Sequence, residues 1–483
     1  MSLNKVDRIS PKVASSISFN VLGDSTDSLK TFRKLLRDSF GPNAKASLVH
    51  NNKGGHVSLT TSSRRLLSAL SISKPLLKLI TAAANQHLIR HHDNGKLILL
   101  LATELIIRGL EADAPQLLTS LVFERLTPVC TEHLSSIRAS LDTSHIDGLL
   151  SVIAASLSSK PLCLLSKRDA ASVSQVLLKT VVSTDGAPRI ICVEGLGPAE
   201  SQLINGVLLP GSPDKSFINR SCFKFVLFNI SLSGDSEDLP NMEYEVTSRN
   251  DLTDGVVGHI SSLVPVLRSK VISLVLCQKV IHPKIKRKLK EAGISSIERL
   301  GLEAAQQVQA LTGCPVISSL VNPISDDQIG MMQEAEAVEV GHKSFLRLSS
   351  ERSACTLVLC HRSEEAVSEL KSACESAIYV TRQLLLSPWV LRGAGHWQRD
   401  LANHIDKKVR LEKHTLSRDL GCSASQVATS SGLLSASLDS IASLLPSSDS
   451  VRDDFASAEA AVRSGVSVAA LALSIHASIQ PNV

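Results

Sequence analysis

His87 and His91 lie four residues apart, and His92 follows at once. At that spacing two imidazoles share a helix face and could hold a metal ion. No third ligand is near in sequence and no His-Glu-x-x-His occurs, so a plain polar helix end is the simpler reading. Ten cysteines, at 130, 163, 192, 222, 277, 314, 355, 360, 374 and 422, never form Cys-x-x-Cys. Several sit inside apolar runs, where cysteine behaves as a small hydrophobe. That usage suggests a reduced cytosolic protein with neither a zinc site nor a disulfide framework. Cys374 beside Glu375 implies no histidine partner and reads as a buried helical thiol. Gly393-Ala394-Gly395 invites a dinucleotide reading, but Pro388-Trp389 precedes it where a strand is required. Lys284–Lys290 (KIKRKLK) is the one basic run. On a helix it sets Ile285 and Leu289 on one face and lysines on the rest, the pattern of a solvated surface helix. A net charge of +5 on 483 residues, with 3% aromatics, is no nucleic-acid footprint.

The elements that carry these groups are legible in outline. The length exceeds one compact core and suggests roughly two to four domains. With 43% hydrophobic residues and few aromatics, the cores must be built of Leu, Val, Ile and Ala. The polar opening MSLNKVDRISPK lacks a signal-peptide core, and no stretch reaches about 18 apolar residues, so no membrane span is expected. Apolar spacing predicts helices over Ser28–Ser39, Leu76–Leu88, Leu97–Gly109, Leu117–Leu141 and Leu149–Leu157. Near Arg189 the pattern changes to short β-rich runs: Arg189–Val193, Val207–Leu209, Lys224–Ser231 and Val271–Cys277, with strand entry again at Pro315–Ile317. Thr356–Cys360 reads as a strand before the helix Glu364–Leu386, and from Pro388 the chain is helical again. Helical, mixed, helical suggests a nested architecture in which the middle is inserted between two ends of one domain.

One segment, Leu274–Ile317, carries a closer likeness. An apolar strand ends in Gln278-Lys279, a basic helix leads to Ala292-Gly293-Ile294, and an amphipathic helix ends in Thr312-Gly313. This order resembles the apical domain of group II chaperonins. The stretch LVLCQKVIHP is similar to the divergent chaperonin-like branch associated with the McKusick–Kaufman and Bardet–Biedl syndromes. Leu149–Pro161, Gly195–Val207 and Ala354–Arg382 resemble further landmarks of the family. The resemblance implies a multi-domain α and α/β protein of group II chaperonin architecture. An all-helical equatorial domain would combine residues 1–145 with a shortened 387–483. A small intermediate domain would take 146–188 and 347–386. The inserted α/β apical domain would be 189–346.

The resemblance also implies where an ATP site would lie. Phosphates need close backbone approach and helix N-termini, Mg²⁺ needs hard oxygen ligands, and an attacking water needs a carboxylate. The family's Leu-Gly-Pro-x-Gly turn is matched by Phe40-Gly41-Pro42-Asn43-Ala44, with Ser47 at its lysine position. Its Thr-Asn-Asp-Gly-Ala-Thr is matched by Thr60 to Arg65, with Ser62 replacing the aspartate. Its Gly-Asp-Gly-Thr-Thr is matched by His92 to Lys96, where Asp93 survives, either as a relic Mg²⁺ ligand or as a helix N-cap. Ser376 falls at the position of the catalytic aspartate, and a serine hydroxyl is a very poor general base. Gly393-Ala394-Gly395 resembles a Gly-Gly-Gly turn, with Trp397 expected to crowd a nucleotide. The usual adenine-pocket segment is not visible, and strand pairing with a neighbouring subunit is expected to be lost.

The implied protein is therefore no enzyme and retains no cofactor. Weak ATP–Mg²⁺ binding at Gly41, Pro42, Asp93, Gly95, Gly393 and Gly395 is the remaining alternative. The resemblance implies a cytoplasmic chaperonin-like factor, also at the centrosome and basal body of cilia, that assists assembly of the BBSome, a ciliary trafficking complex. Its implied partners are other chaperonin-like Bardet–Biedl proteins, cytosolic chaperonin subunits and BBSome subunits. Lys286, Lys290 and Gln307 are the candidate contact residues on the apical helices. A reduced apical protrusion is expected over Ser248–Ser269. The competing readings are an ATP-dependent folding chaperone of the group II type and an unrelated α/β enzyme.

Overall fold

A computed structural model describes residues 15–18, 22–50, 57–184, 186–211, 220–234, 249–320, 323–350, 352 and 354–481. The polar opening segment up to residue 12, and Ser248 at the start of the expected protrusion, lie outside the described residues. The chain divides into two compact units. The first joins Met1–Leu164 to Ser372–Val483, and the second is Leu165–Lys371.

The first unit is organised around the helix Gly95–Glu111. Its sequence, GKLILLLATELIIRGLE, is apolar nearly all round, and a helix of that kind has to be enclosed. Fourteen of its residues are buried, and only Arg108, Leu110 and Glu111 in its last turn reach solvent. Thr26–Asp38, Pro75–His91, Ala424–Ala442 and Phe455–Leu473 pack against it. Close approach is set by small residues: a Cβ on Gly465 would stand 3.0 Å from Leu101, and one on Gly109 would stand 2.8 Å from Leu473. Phe455–Leu473 is, by length and composition alone, apolar enough to cross a membrane, yet most of it is lodged in this helical core.

Full enclosure forces the charges of the central helix to be neutralised internally. The Glu104 carboxylate is 1% exposed and meets Arg37 at 2.7 Å, Arg33 at 3.4 Å and Arg108 at 3.6 Å. The arginines are each about a third exposed, so they bring their charge in from the surface.

The first unit is not all-helical. Ser47–His50 and Val57–Thr60 form an antiparallel hairpin, Ser15–Ser18 pairs with Ser478–Pro481, and Trp389–Arg392 lies between Arg452–Asp454 and Ala139–Ser140. The last of these ends the expected helix at Ile137 instead of Leu141, because Ala139 and Ser140 are taken as strand partners of Val390 and Trp389.

The second unit carries a six-stranded mixed sheet in the order Ser295–Ile297, Ile272–Cys277, Arg220–Phe228, Gly330–Val340, Lys343–Ser349, Val207–Pro210. The first three strands are parallel and the remaining pairings antiparallel. Period-two alternation places Leu274 and Leu276 in the cluster under the helix Gly301–Thr312. It places Val275 and Cys277 in the opposite cluster, with Ile285 and Leu289 of the helix Pro283–Glu291. Arg249–Ser261 and Leu263–Ser269 are helices, and the latter contributes Val264 and Leu267 to that same cluster. Pro315–Ile317 is not a strand: only Ile317 bridges, to Phe228, since the proline removes a ladder donor. A smaller sheet sets Cys355–His361 between Arg189–Glu194 and Gln202–Asn205.

Replacing both Arg33 and Arg37 with methionine should leave the buried Glu104 carboxylate only Arg108, at 3.6 Å, and cost about 3 kcal/mol. Glu104→Leu should cost less, because the arginines left behind can be rehydrated. Urea denaturation of the two variants beside the parent checks the order.

Candidate functional site

A cleft of about 250 Å³ opens in the first unit. Its walls come from the Phe40–Pro42 turn, the start of the central helix from Asp93 to Leu97, the end of the helix Ile146–Ser158, Val380, Ala394, Gln398, and the loop and strand from Leu445 to Asp454. Of the residues singled out from sequence, Gly41, Pro42, Asp93 and Gly95 line it, and Gly393 and Gly395 flank Ala394, which does.

The glycines have structural reasons of their own. Gly41 is left-handed at φ +79°, and a Cβ there would meet Leu445 at 2.9 Å. Gly395, at φ +82°, would bring a Cβ 2.8 Å from the Ala442 carbonyl oxygen. Close backbone approach is thus used here by the protein's own chain.

Asp93 is not the N-cap of the central helix. That position is Asn94, itself left-handed at φ 58°, whose Nδ2 donates to Ser457 Oγ at 2.9 Å. Two residues on, Lys96 turns its ammonium inward and donates to the carbonyl oxygens of Ser39 at 2.5 Å and Thr61 at 2.6 Å. It thereby ties the Ser39–Pro42 turn, the end of strand Val57–Thr60 and the central helix to one charge.

Ser376 is on the long helix Glu364–Leu386, in one stripe with Ser372, Glu375 and Tyr379. Ser376 Oγ donates to the His92 carbonyl at 2.8 Å. Ser372 Oγ is 3.0 Å from Ser62 Oγ, the hydroxyl at the other position where the family has aspartate. Glu375 meets Arg64 at 3.9 Å, and the Tyr379 hydroxyl donates to the Arg90 carbonyl. Tyr379 also stacks on His92 at 4.2 Å, and Arg64 is 2.7 Å from His92 Nδ1. Each residue of the stripe is engaged with the turn between two helices or with the segment Ser62–Arg64.

The histidines are tied into the same wall. His87 stacks on His91 at 4.5 Å and approaches Ser457 Oγ at 3.5 Å, and its pKa is lowered to about 4, mainly by burial. Burial also lowers His91 and His92. Neutral imidazoles are the consequence at neutral pH.

Trp397 does not crowd the cleft. It is 2% exposed, packs in the helical core, and donates Nε1 to Asp453 Oδ2 at 2.9 Å. The residues that sequence reasoning passed over are Asp453 and Asp454. Both line the cleft, and burial pushes each up to about 6, with repulsion from Asp93 adding to it. Asp454 also accepts the Ser457 N–H at 2.7 Å and caps Phe455–Leu473. Paired acids before an apolar helix were the available signal.

On the second unit, Lys286 is paired with Glu298 at 2.5 Å, and Glu298 also accepts the Ile281 N–H. Lys290 is exposed and Gln307 half-buried. Arg287 and Lys288 are more open than Lys286, as Gln306 and Gln309 are than Gln307.

The first unit is thus made of two chain segments separated by a β-rich one, with a cleft at the glycine–proline turn and at the aspartate before the central helix. Residues 32–418 match the TCP-1/cpn60 chaperonin family, and the chain belongs to that family. Within it, the chain is similar to the molecular chaperone MKKS of mouse, with 29% identity over 441 residues, 86% of this chain and 76% of that protein. Human molecular chaperone MKKS is 28% identical over 83% of this chain and 73% of its own length. The thermosome subunit alpha of Sulfurisphaera tokodaii is 20% identical over 79% and 72%.

Because Asp453 and Asp454 titrate near 6 when folded and near 4 when unfolded, the folded state holds the extra protons between those values. Their ionisation therefore opposes folding, and stability falls as pH rises through 6. Asp453→Asn should raise stability at pH 7.5 by about 1–2 kcal/mol, with the gain vanishing near pH 4. Denaturation midpoints at the two pH values test this.

Proposed function

We propose that this chain is a chaperonin-like holding factor that assists assembly of a ciliary trafficking complex, the BBSome, without hydrolysing ATP itself. It is built on this reading as equatorial, intermediate and apical domains, with the apical α/β domain presenting the client surface. It holds a subunit by surface complementarity and hands it on. Its partners are other chaperonin-like Bardet–Biedl proteins, cytosolic chaperonin subunits and BBSome subunits, in the cytoplasm and at the centrosome and basal body.

The observation that carries the absence of turnover is the use made of the catalytic positions. A general base must accept a proton from water, and its contribution is worth roughly 10²–10⁴ in rate. Ser376 instead donates its proton to the His92 carbonyl. The ammonium of Lys96, standing where the resemblance places a phosphate-loop threonine, donates to two main-chain carbonyls of the protein itself. The similarity to the molecular chaperone MKKS supports the chaperone half of the reading.

Purified chain with Mg²⁺–ATP should release no phosphate above background, and Ser376→Asp should not restore it, since the cradle is missing as well. Affinity capture from ciliated cells should recover BBSome and chaperonin subunits together. Phosphate release that disappears on Asp93→Asn would establish the ATP-dependent folding chaperone instead.

A further inference from the structure

The helix Pro283–Glu291 and the turns at its two ends concentrate charge. Residues 279–299 hold seven Lys and Arg against two Glu. Taking these from the chain's 51 basic and 46 acidic residues leaves 44 of each, so this one segment carries the whole net charge of +5. Lys284 with Lys288, and Lys286 with Lys290, are like-charged pairs four residues apart, an arrangement that opposes helix formation. Two of the cations are matched, since Lys286 meets Glu298 and Arg287 meets Glu291. Among the described residues Lys279, Lys288 and Arg299 are exposed and have no ion-pair partner. Arg299 is held in the left-handed region at φ 56°, which non-glycine residues rarely adopt, and its N–H donates to the Lys279 carbonyl at 2.7 Å. That contact sets two of the unmatched cations side by side. The Gly301 N–H donates to the Gln278 carbonyl at 3.2 Å, which places Leu302, 60% exposed, one residue from the same turn.

A positive face this concentrated suits an anionic partner. Two features select a polypeptide over a nucleic acid. From 279 to 311 there is no Phe, Tyr or Trp on which a base could stack. Val280 and Leu302 instead offer exposed aliphatic surface beside the cations, which matches apolar residues set among carboxylates.

We propose that this face binds an acidic segment of a client protein, its carboxylates on Lys279, Lys288 and Arg299 and an apolar side chain against Leu302. The inference rests on the proposed reading of the apical domain as the client-bearing part, and adds the chemistry of what that part takes.

Fluorescence anisotropy of the full chain with a labelled peptide of repeated Asp-Glu-Leu-Glu tests it, beside the same peptide in Asn and Gln and an oligouridylate of equal charge. The acidic peptide should bind saturably and more weakly as salt rises, and the amide peptide should not bind. Lys279→Gln, Lys288→Gln and Arg299→Gln together should weaken binding about tenfold, each exposed charge contributing a small share. Lys179→Gln, Lys343→Gln and Arg362→Gln, which remove the same charge elsewhere on the second unit, should leave it unchanged. Leu302→Ser should weaken it with the salt dependence intact. No saturable binding, equal loss in both triple variants, or oligouridylate binding as tight as that of the acidic peptide would overturn the proposal. So would binding that appears only once the five acids of residues 235–245 are neutralised, which would assign the face to the chain's own acidic run. Undiminished capture of BBSome subunits by the first triple variant removes this proposal and leaves the proposed function standing. No capture by the parent chain, with peptide binding intact, does the reverse.

Discussion

The helix Gly95–Glu111 is buried on every side up to its last turn, and the first unit is arranged around that fact. An enclosed helix cannot leave a charge unmatched, because desolvation of an ion costs several kcal/mol. Glu104 in its middle is met by Arg33 and Arg37 of the helix Thr26–Asp38 and by Arg108 one turn on, and Lys96 at its start is met by two carbonyls. The Lys96 contact reaches further than stability. It fixes the Ser39–Pro42 turn and the end of the Val57–Thr60 strand at the mouth of the cleft, so the shape of the site follows from how the core was closed.

Much of this was legible where local pattern and burial agree. The run Leu274 to Cys277 alternates between two faces, and both faces are covered as that alternation demands. The enclosed helix announced itself by being apolar all round. Pro315–Ile317 was misread because apolar content was weighed above the proline that stops strand pairing. Asp93 was weighed as a cap, yet Asn94 takes the position because the turn needs a left-handed residue, which asparagine tolerates. Trp397 was expected in the cleft on size alone; its indole found a buried acceptor in Asp453, which no local pattern reveals. Asp453 and Asp454 escaped notice for the same reason, since their meeting with Asp93 is made by chain segments more than half the sequence apart.

The two positions where the resemblance places aspartates are both hydrogen-bonded within the protein. Ser62 and Ser376 are small, neutral and able to donate, and both are bonded along one stripe of the long helix. A carboxylate at 376 would face the lone pairs of the His92 carbonyl.

Ser120 donates to the carbonyl of Ala470, 350 residues along the chain, within the contact between Gln116–Ile137 and Phe455–Leu473. The enclosing helix is therefore translated some 350 residues after the segment it covers. At about 5–20 residues per second, the greasy helix Gly95–Glu111 waits roughly 20–70 s on the ribosome for its final cover. During that interval the nascent protein is itself an aggregation-prone substrate, so its yield should depend on the very class of folding helper from which it descends.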